Sequence, residues 1–310
     1  MNAAPASKPF RPGIWVPIVT PFSHGEIDHG AAANLVRGLC RSGVHGLVAC
    51  GTTGEGPALS AYEKARFLDT VFTAAAGDLP IVLALEGSNT AKMIAERREI
   101  GQWPVTGHLL PAPAYVRPSE EGLHRHFMTI AEACDTPVML YDIPARTGVT
   151  LRTEFIAKLA ASGCFPAIKA CGLSARRLKD LIDIPGLSVF CGDDAWSLSA
   201  LKLGVEGVVG ASANVVPEAF VALYEAVRHD RGGASEAIWS HLLPLTELLF
   251  DEPNPAPVKA ALALRGVLED GLRLPLTPCS QGLRERLQVQ LSLGLADADA
   301  HLHLPDKSYK

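Results

Sequence analysis

The chain has 310 residues, a formal net charge of −5 and a hydrophobic content of 48%. That size and apolar content support a large buried core and exclude a disordered or fibrous protein. Acidic and basic residues are interspersed without a basic stripe, which argues against nucleic acid or an anionic membrane surface as partner.

The chain opens with "MNAAPASKPFRPG" (1–13), which lacks the apolar run of a signal peptide. No stretch of about 18 residues is free of charge and turn residues, so no membrane span is expected. The expectation is a soluble, cytoplasmic protein. Short apolar runs then recur: "GIWVPIVTP" (13–21), "HGLVACG" (45–51), "LPIVLALEG" (79–87) and "HLLPAP" (108–113). Four more follow at "PVMLYDIP" (137–144), "FPAIKACG" (165–172), "LSVFCG" (187–192) and "GVVGAS" (207–212). Between them lie segments of helical period such as "AAANLVRGLCRSG", where Leu35, Leu39 and Cys40 share a face and Arg37 and Arg41 point away.

Eight continuous apolar strands alternating with helices predict an α/β fold, a (β/α)8 TIM barrel, with an open eight-stranded sheet as the alternative. No G-x-G-x-x-G follows a strand, which weighs against dinucleotide binding. The barrel is expected over 12–231, and after "RGGAS" three helical segments predict an appended helical region over 232–296. Residues 1–11 and 297–310 read as loose termini. The seven cysteines form no CxxC pair and suit buried reduced thiols better than disulfides or a zinc site; no metal is expected.

In such a barrel the chemistry sits at the C-terminal strand ends. The polar residues there are Thr52, Thr53 and Glu55 after strand 2, Tyr115 and Arg117 after strand 4, and Tyr141, Asp142 and Arg146 after strand 5. Strand 6 supplies Lys169, strand 7 Asp193 and Asp194, and strand 8 Ser212 and Asn214. Lys169 is the one lysine of the set. A desolvated lysine has a depressed pKa and a neutral amine that attacks carbonyls; an ion pair with Asp193 or Asp194 explains it equally well. "CGTTGEG" (50–56), with Gly51, Thr52 and Thr53, offers backbone N–H groups and hydroxyls to a small anion, or is a tight turn. Tyr141 can relay protons and Arg146 can clamp a carboxylate, or both serve packing and capping.

Taken together, "VTPF" (19–22), "GTTGE" (51–55), "YVRPSEEGL" (115–123), "YDIPARTG" (141–148), "IK" (168–169), "GDD" (192–194), "ANV" (213–215) and "EPNPAPVK" (252–259) carry a resemblance. The chain resembles the pyruvate-dependent class I aldolases, the family of dihydrodipicolinate synthase (4-hydroxy-tetrahydrodipicolinate synthase) and N-acetylneuraminate lyase, over roughly residues 12–296. The resemblance implies that Lys169 forms a Schiff base with pyruvate and that Tyr141 passes the proton. It implies that Thr52 links Tyr141 to Tyr115 reaching in from a neighbouring subunit, so the protein is a homo-oligomer, dimer or tetramer. Thr53, Gly51 and Val209 hold pyruvate, and Arg146 binds the carboxylate of aspartate semialdehyde. The implied reaction is the lyase-type condensation of these two substrates in lysine and diaminopimelate biosynthesis. It uses no cofactor beyond the covalent pyruvate imine on Lys169.

Two alternatives stay open: a related lyase or dehydratase on another 2-keto (sugar) acid, and a non-catalytic keto-acid-binding barrel. The first is motivated by departures from the family pattern. Ala170 stands at an acidic position in "KACGLS", its glycine comes one place early, Asp142 replaces an asparagine, and Gly210 replaces a serine. Of the positions that hold the regulatory lysine in the family, Asn89 remains, while Gly56, Ala61, Lys64, Met93 and Ala114 differ. Inhibition by lysine is therefore not expected.

Overall fold

The computed structural model describes residues 8–101, 103–229 and 231–301. Eight parallel strands close into a barrel: β1 (Gly13–Pro17), β2 (Gly46–Ala49), β3 (Ile81–Ala84), β4 (Gly107–Pro111), β5 (Val138–Asp142), β6 (Ala167–Ala170), β7 (Ser188–Cys191) and β8 (Gly207–Val209). Each strand pairs with its sequence neighbours, and β8 closes the ring on β1 through Gly13↔Gly207 and Trp15↔Val209. The closed ring removes the open-sheet alternative. It also explains why the strands read as continuous apolar runs: one face fills the barrel and the other meets the helices.

That helix layer is α1 (His29–Arg41), α2 (Ala61–Ala75), α3 (Thr90–Ile100), α4 (Glu120–Glu132), α5 (Thr153–Ala160), α6 (Ala175–Ile182), α7 (Ser197–Leu203) and α8 (Pro217–Arg228). Leu35, Val36 and Leu39 of α1 are buried, as the helical spacing predicts. Asp28 caps α1, and Ser60 and Glu63 form a capping box at the start of α2. Three further helices follow: α9 (Gly232–Leu248), α10 (Ala256–Leu264) and α11 (Gln281–His301). The last packs against the other two. Among the described residues no helix is long and apolar enough to cross a membrane.

The barrel interior is built from alternate strand positions, including Trp15, Val48, Val82, Ala84, Leu109, Met139, Tyr141, Ala167, Phe190 and Val209. Residues 1–7 of the terminus read as loose lie outside the described residues, but Phe10 does not fit that expectation. It is 1% exposed and packs edge-on against Trp15, with ring centroids 6.3 Å apart. Phe10 thus belongs to the barrel core, since the interior has room for one more aromatic ring. At the other end α11 carries helix to His301, into the segment read as loose, and residues 302–310 lie outside the described residues.

Candidate active site

β5 and β6 run in register, with Tyr141 opposite Lys169. Both positions face the interior at its C-terminal end, so the topology alone brings the two side chains together. Lys169 is 6% exposed, and its Nζ lies 4.4 Å from the centroid of the Tyr141 ring. No carboxylate oxygen of the described residues lies within 4.0 Å of this nitrogen. The two aspartates offered as its ion-pair partners are engaged elsewhere. Asp193 Oδ2 accepts the Gly172 N–H at 2.6 Å, and Asp194 Oδ1 accepts the Ser212 N–H at 2.6 Å.

Burial holds the Tyr141 phenol well above its ordinary range; the nearby Cys171 and Glu86 add to the rise, while Arg146 and the Thr52 hydroxyl oppose it. Tyr141 therefore stays protonated at neutral pH and is available as a donor. Burial likewise pushes the neighbouring Cys191 thiol up to about 12, so it is no rival nucleophile.

The turn after β2 is tightly built. Cys50 and Glu55 both adopt left-handed backbone, with φ of 58° and 54°. The Gly56 N–H donates to the Gly51 carbonyl at 3.1 Å. A Cβ on Gly56 would meet the Cys50 carbonyl oxygen at 1.9 Å, so only glycine closes this turn. Thr53 is buried, and its hydroxyl accepts from Asn254 Nδ2 at 3.0 Å. Glu55 is fully buried against Lys259 of α10. The appended helices thus hold the hydroxyl turn from behind. The "EPNPAPVK" stretch supplies both contacts, Asn254 and Lys259.

The mouth of the barrel holds a cavity of about 450 Å³ lined by Thr52, Lys64, Glu86, Ala114, Tyr141 and Arg146, among others. Arg146 is exposed and makes one long hydrogen bond, Nη2 to the Asn254 carbonyl at 3.4 Å. Its guanidinium faces the cavity with its other donors uncommitted. Val209 is fully buried in the same interior cluster as Tyr141. Tyr115 stands apart from the rest. It is 94% exposed, and left-handed backbone at Tyr115 (φ 73°) and Arg117 (φ 42°) turns this loop outward. Within one chain the structure brings Thr52, Tyr141 and Arg146 to one cavity, sets Lys169 against the Tyr141 ring and holds Thr53 against Asn254 behind the turn, and leaves Tyr115 outside.

The departures from the family pattern find local explanations. Asp142 points away from the cavity. Its Oδ2 pairs with Arg177 of α6 at 2.7 Å and its Oδ1 accepts the Leu151 N–H at 3.2 Å. Ala170 faces the helix layer, in the outer core. Gly172 takes left-handed backbone (φ 67°), a conformation that fixes glycine at this place. A side chain at Gly210 would press on Asp194 Oδ1 at 3.0 Å, the same oxygen that holds the Ser212 amide. Of the changed residues after the lysine, only Cys171 reaches the interior.

At the regulatory positions, Lys64 pairs with Glu96 and Met93 is 5% exposed. Even the remaining Asn89 is occupied: its Oδ1 accepts the Lys92 N–H at 3.0 Å as the cap of α3. Sub-millimolar L-lysine is expected to leave the initial rate unchanged; an inhibition curve in that range would contradict this.

A barrel whose unpaired, buried lysine faces a protonated tyrosine falls in the class of lysine-dependent lyases. The chain belongs to the dihydrodipicolinate synthetase family, whose pattern it matches over residues 11–293. It is 36% identical over 278 residues to the 4-hydroxy-tetrahydrodipicolinate synthase of Syntrophus aciditrophicus, covering 89% of this chain and 96% of the relative. Among solved structures it is similar to a monomeric dihydrodipicolinate synthase variant, with a TM-score of 0.89, 31% identity and coverage of 93% of this chain and 98% of that one. It is also similar to the chloride-inhibited dihydrodipicolinate synthase of Acinetobacter baumannii complexed with pyruvate, with a TM-score of 0.88, 32% identity and coverage of 92% and 99%.

Sequence reasoning passed over Glu86, named Lys64 only among the regulatory positions, and met Asn254 only inside "EPNPAPVK" without a role. Glu86 carried a usable signal, because it follows the apolar run of β3 as the other site residues follow theirs. The pairing of Asn254 with Thr53 carried none, since the two are 201 residues apart.

Proposed function

We propose that this protein condenses pyruvate with aspartate semialdehyde to give 4-hydroxy-tetrahydrodipicolinate. The observation that carries the reading is Lys169: buried, free of any carboxylate partner and set against the Tyr141 ring at the C-terminal mouth of the barrel. The neutral amine attacks the keto carbon of pyruvate, and Tyr141 protonates the oxygen as water leaves. The turn around Gly51, Thr52 and Thr53 receives the pyruvate carboxylate, and Val209 closes the floor of the site. Tautomerisation of the imine gives an enamine that attacks the aldehyde. The protonated imine is itself the electron sink, so the step calls for no metal or organic cofactor. Cyclisation through the aldehyde's own amine then releases Lys169.

Arg146 supports the choice of aldehyde, because a planar, permanently charged donor set suits a monocarboxylate. The observation behind the sugar-acid alternative also weakens, since Ala170 and Asp142 face away from the cavity. Tyr115, fixed outward and exposed, suits a role in a neighbouring subunit's site within a homo-oligomer. The direct test is a coupled assay with both substrates. Turnover with aspartate semialdehyde supports the reading, whereas turnover only with a longer sugar-acid aldehyde overturns it. Arg146→Ala is expected to raise KM for the semialdehyde about 10²-fold while leaving KM for pyruvate within about twofold, from the loss of a charge-assisted bidentate contact. An equal rise for both substrates would remove Arg146 from this role.

A further inference from the structure

Glu86 is a half-buried acid that the steps above do not use. β3 places Val82 and Ala84 in the barrel interior, and the next inward position is Glu86, which lines the cavity beside Thr52, Tyr141 and Arg146. Its Oε1 accepts a long hydrogen bond from the Thr52 hydroxyl at 3.4 Å. No cation of the described residues lies within 4.0 Å of its carboxylate, because Lys64 pairs with Glu96 instead. A carboxyl group desolvated without an ion-pair partner is costly to keep as a purely structural element.

We propose that Glu86 is the proton source for imine formation, feeding Tyr141 through the Thr52 hydroxyl and ending as the counter-ion of the protonated imine. This rests on the synthase reading. The balance is as follows. Lys169 Nζ forms the N–C bond as the carbonyl π pair moves to oxygen, which takes the Tyr141 proton. Tyr141 is refilled from Thr52, and Thr52 from the Glu86 carboxyl. The first nitrogen proton returns through Tyr141 and Thr52 to the Glu86 carboxylate; the C–O bond then breaks as oxygen takes a second proton along the same chain. Neutral amine, ketone and carboxylic acid become protonated imine, water and carboxylate, with atoms and charge conserved. Site and product both have zero net charge from this pair, which favours the step in a low-dielectric mouth.

Burial raises the Glu86 pKa, while Lys64 of α2, the Thr52 hydroxyl, Arg146 after β5 and Lys169 of β6 lower it. Tyr141 of β5, Glu96 of α3 and the Cys50 thiol after β2 also belong to the charged and titratable surround. Glu86 acts through Thr52 rather than on pyruvate, so it is a positioning and relay residue, and its test must read protons.

The measurement is the rate of pyruvate imine formation, trapped by borohydride at timed intervals, across about pH 5 to 9. The wild type should give a bell, because attack needs an unprotonated amine while the relay needs a protonated carboxyl. Glu86→Gln should lower the rate about 10²-fold at neutral pH. It should also lose the alkaline limb, rising with pH to a plateau. Thr52→Val should lose the same limb, and Glu86→Asp, which keeps a carboxyl, should retain it at reduced rate. If Glu86→Gln does not fold by circular dichroism, the Thr52→Val and Glu86→Asp profiles decide. A Glu86→Gln variant with the wild-type bell and a rate within about twofold overturns the proposal. So does loss of the alkaline limb in Tyr115→Phe but not in Glu86→Gln. Absence of any wild-type pyruvate adduct would instead overturn the synthase reading itself.

Discussion

Replacing Lys169 with arginine is expected to lower kcat/KM by roughly 10⁴-fold or more, the scale seen when a covalent nucleophile is lost. Arginine keeps a cation in the same interior slot, so its contact with the Tyr141 ring is preserved. It cannot become a neutral nucleophile, because its guanidinium does not deprotonate in proteins. The change therefore separates charge from nucleophilicity, which an alanine substitution does not. Thermal unfolding should move little, since the cation–π contact is worth only about 0.5–2 kcal/mol and is largely retained. A Lys169→Arg variant retaining a tenth of wild-type activity would mean that the lysine acts as a charge, and the imine route would fall.

The second large effect is on stability, at Lys259. Its side chain and that of Glu55 are both 0% exposed and pair directly. Lys259 Nζ also donates to the Gly271 carbonyl at 2.7 Å and sits 4.3 Å from the Phe22 ring centroid. Glu55 Oε2 accepts the Arg273 N–H at 3.0 Å, and Arg273 itself binds the Ala58 carbonyl at 2.9 Å. Burial depresses the Lys259 pKa, and the Glu55 carboxylate raises it again. Lys259→Met removes the cation and leaves the carboxylate buried with one backbone donor, at a cost of roughly 3–5 kcal/mol. The double change Lys259→Met with Glu55→Gln should recover part of that loss, because no buried charge remains. Denaturant unfolding of both variants measures it; equal destabilisation of the single and double variants would show that the pair is not coupled. Because Glu55 holds left-handed backbone next to Thr52 and Thr53, the single variant should also lose activity before it unfolds.

The barrel was legible in the chain because parallel strands bury both faces and so read as uninterrupted apolar runs between helical segments. Lys169 and Tyr141 were legible for a related reason: each is a polar intrusion at the exit of such a run, and register then sets them side by side. Contacts made across the fold left no such trace. Glu55 and Lys259 are 204 residues apart, and neither looks unusual among its own neighbours. Phe10 lies ahead of the first strand in a polar terminal segment, and only the closed barrel gives it an interior to fill. The odd residues around the lysine were visible at once, but which of them reach the cavity depends on strand alternation. That alternation puts Ala170 and Asp142 outside and Cys171 inside.

The central claim is that Lys169 carries pyruvate covalently. Incubation with pyruvate, reduction with borohydride and peptide mass mapping test it most directly. The account predicts a single reduced adduct on the peptide containing Lys169, absent from Lys169→Arg. An adduct on another lysine, or none with pyruvate at saturation, would contradict it.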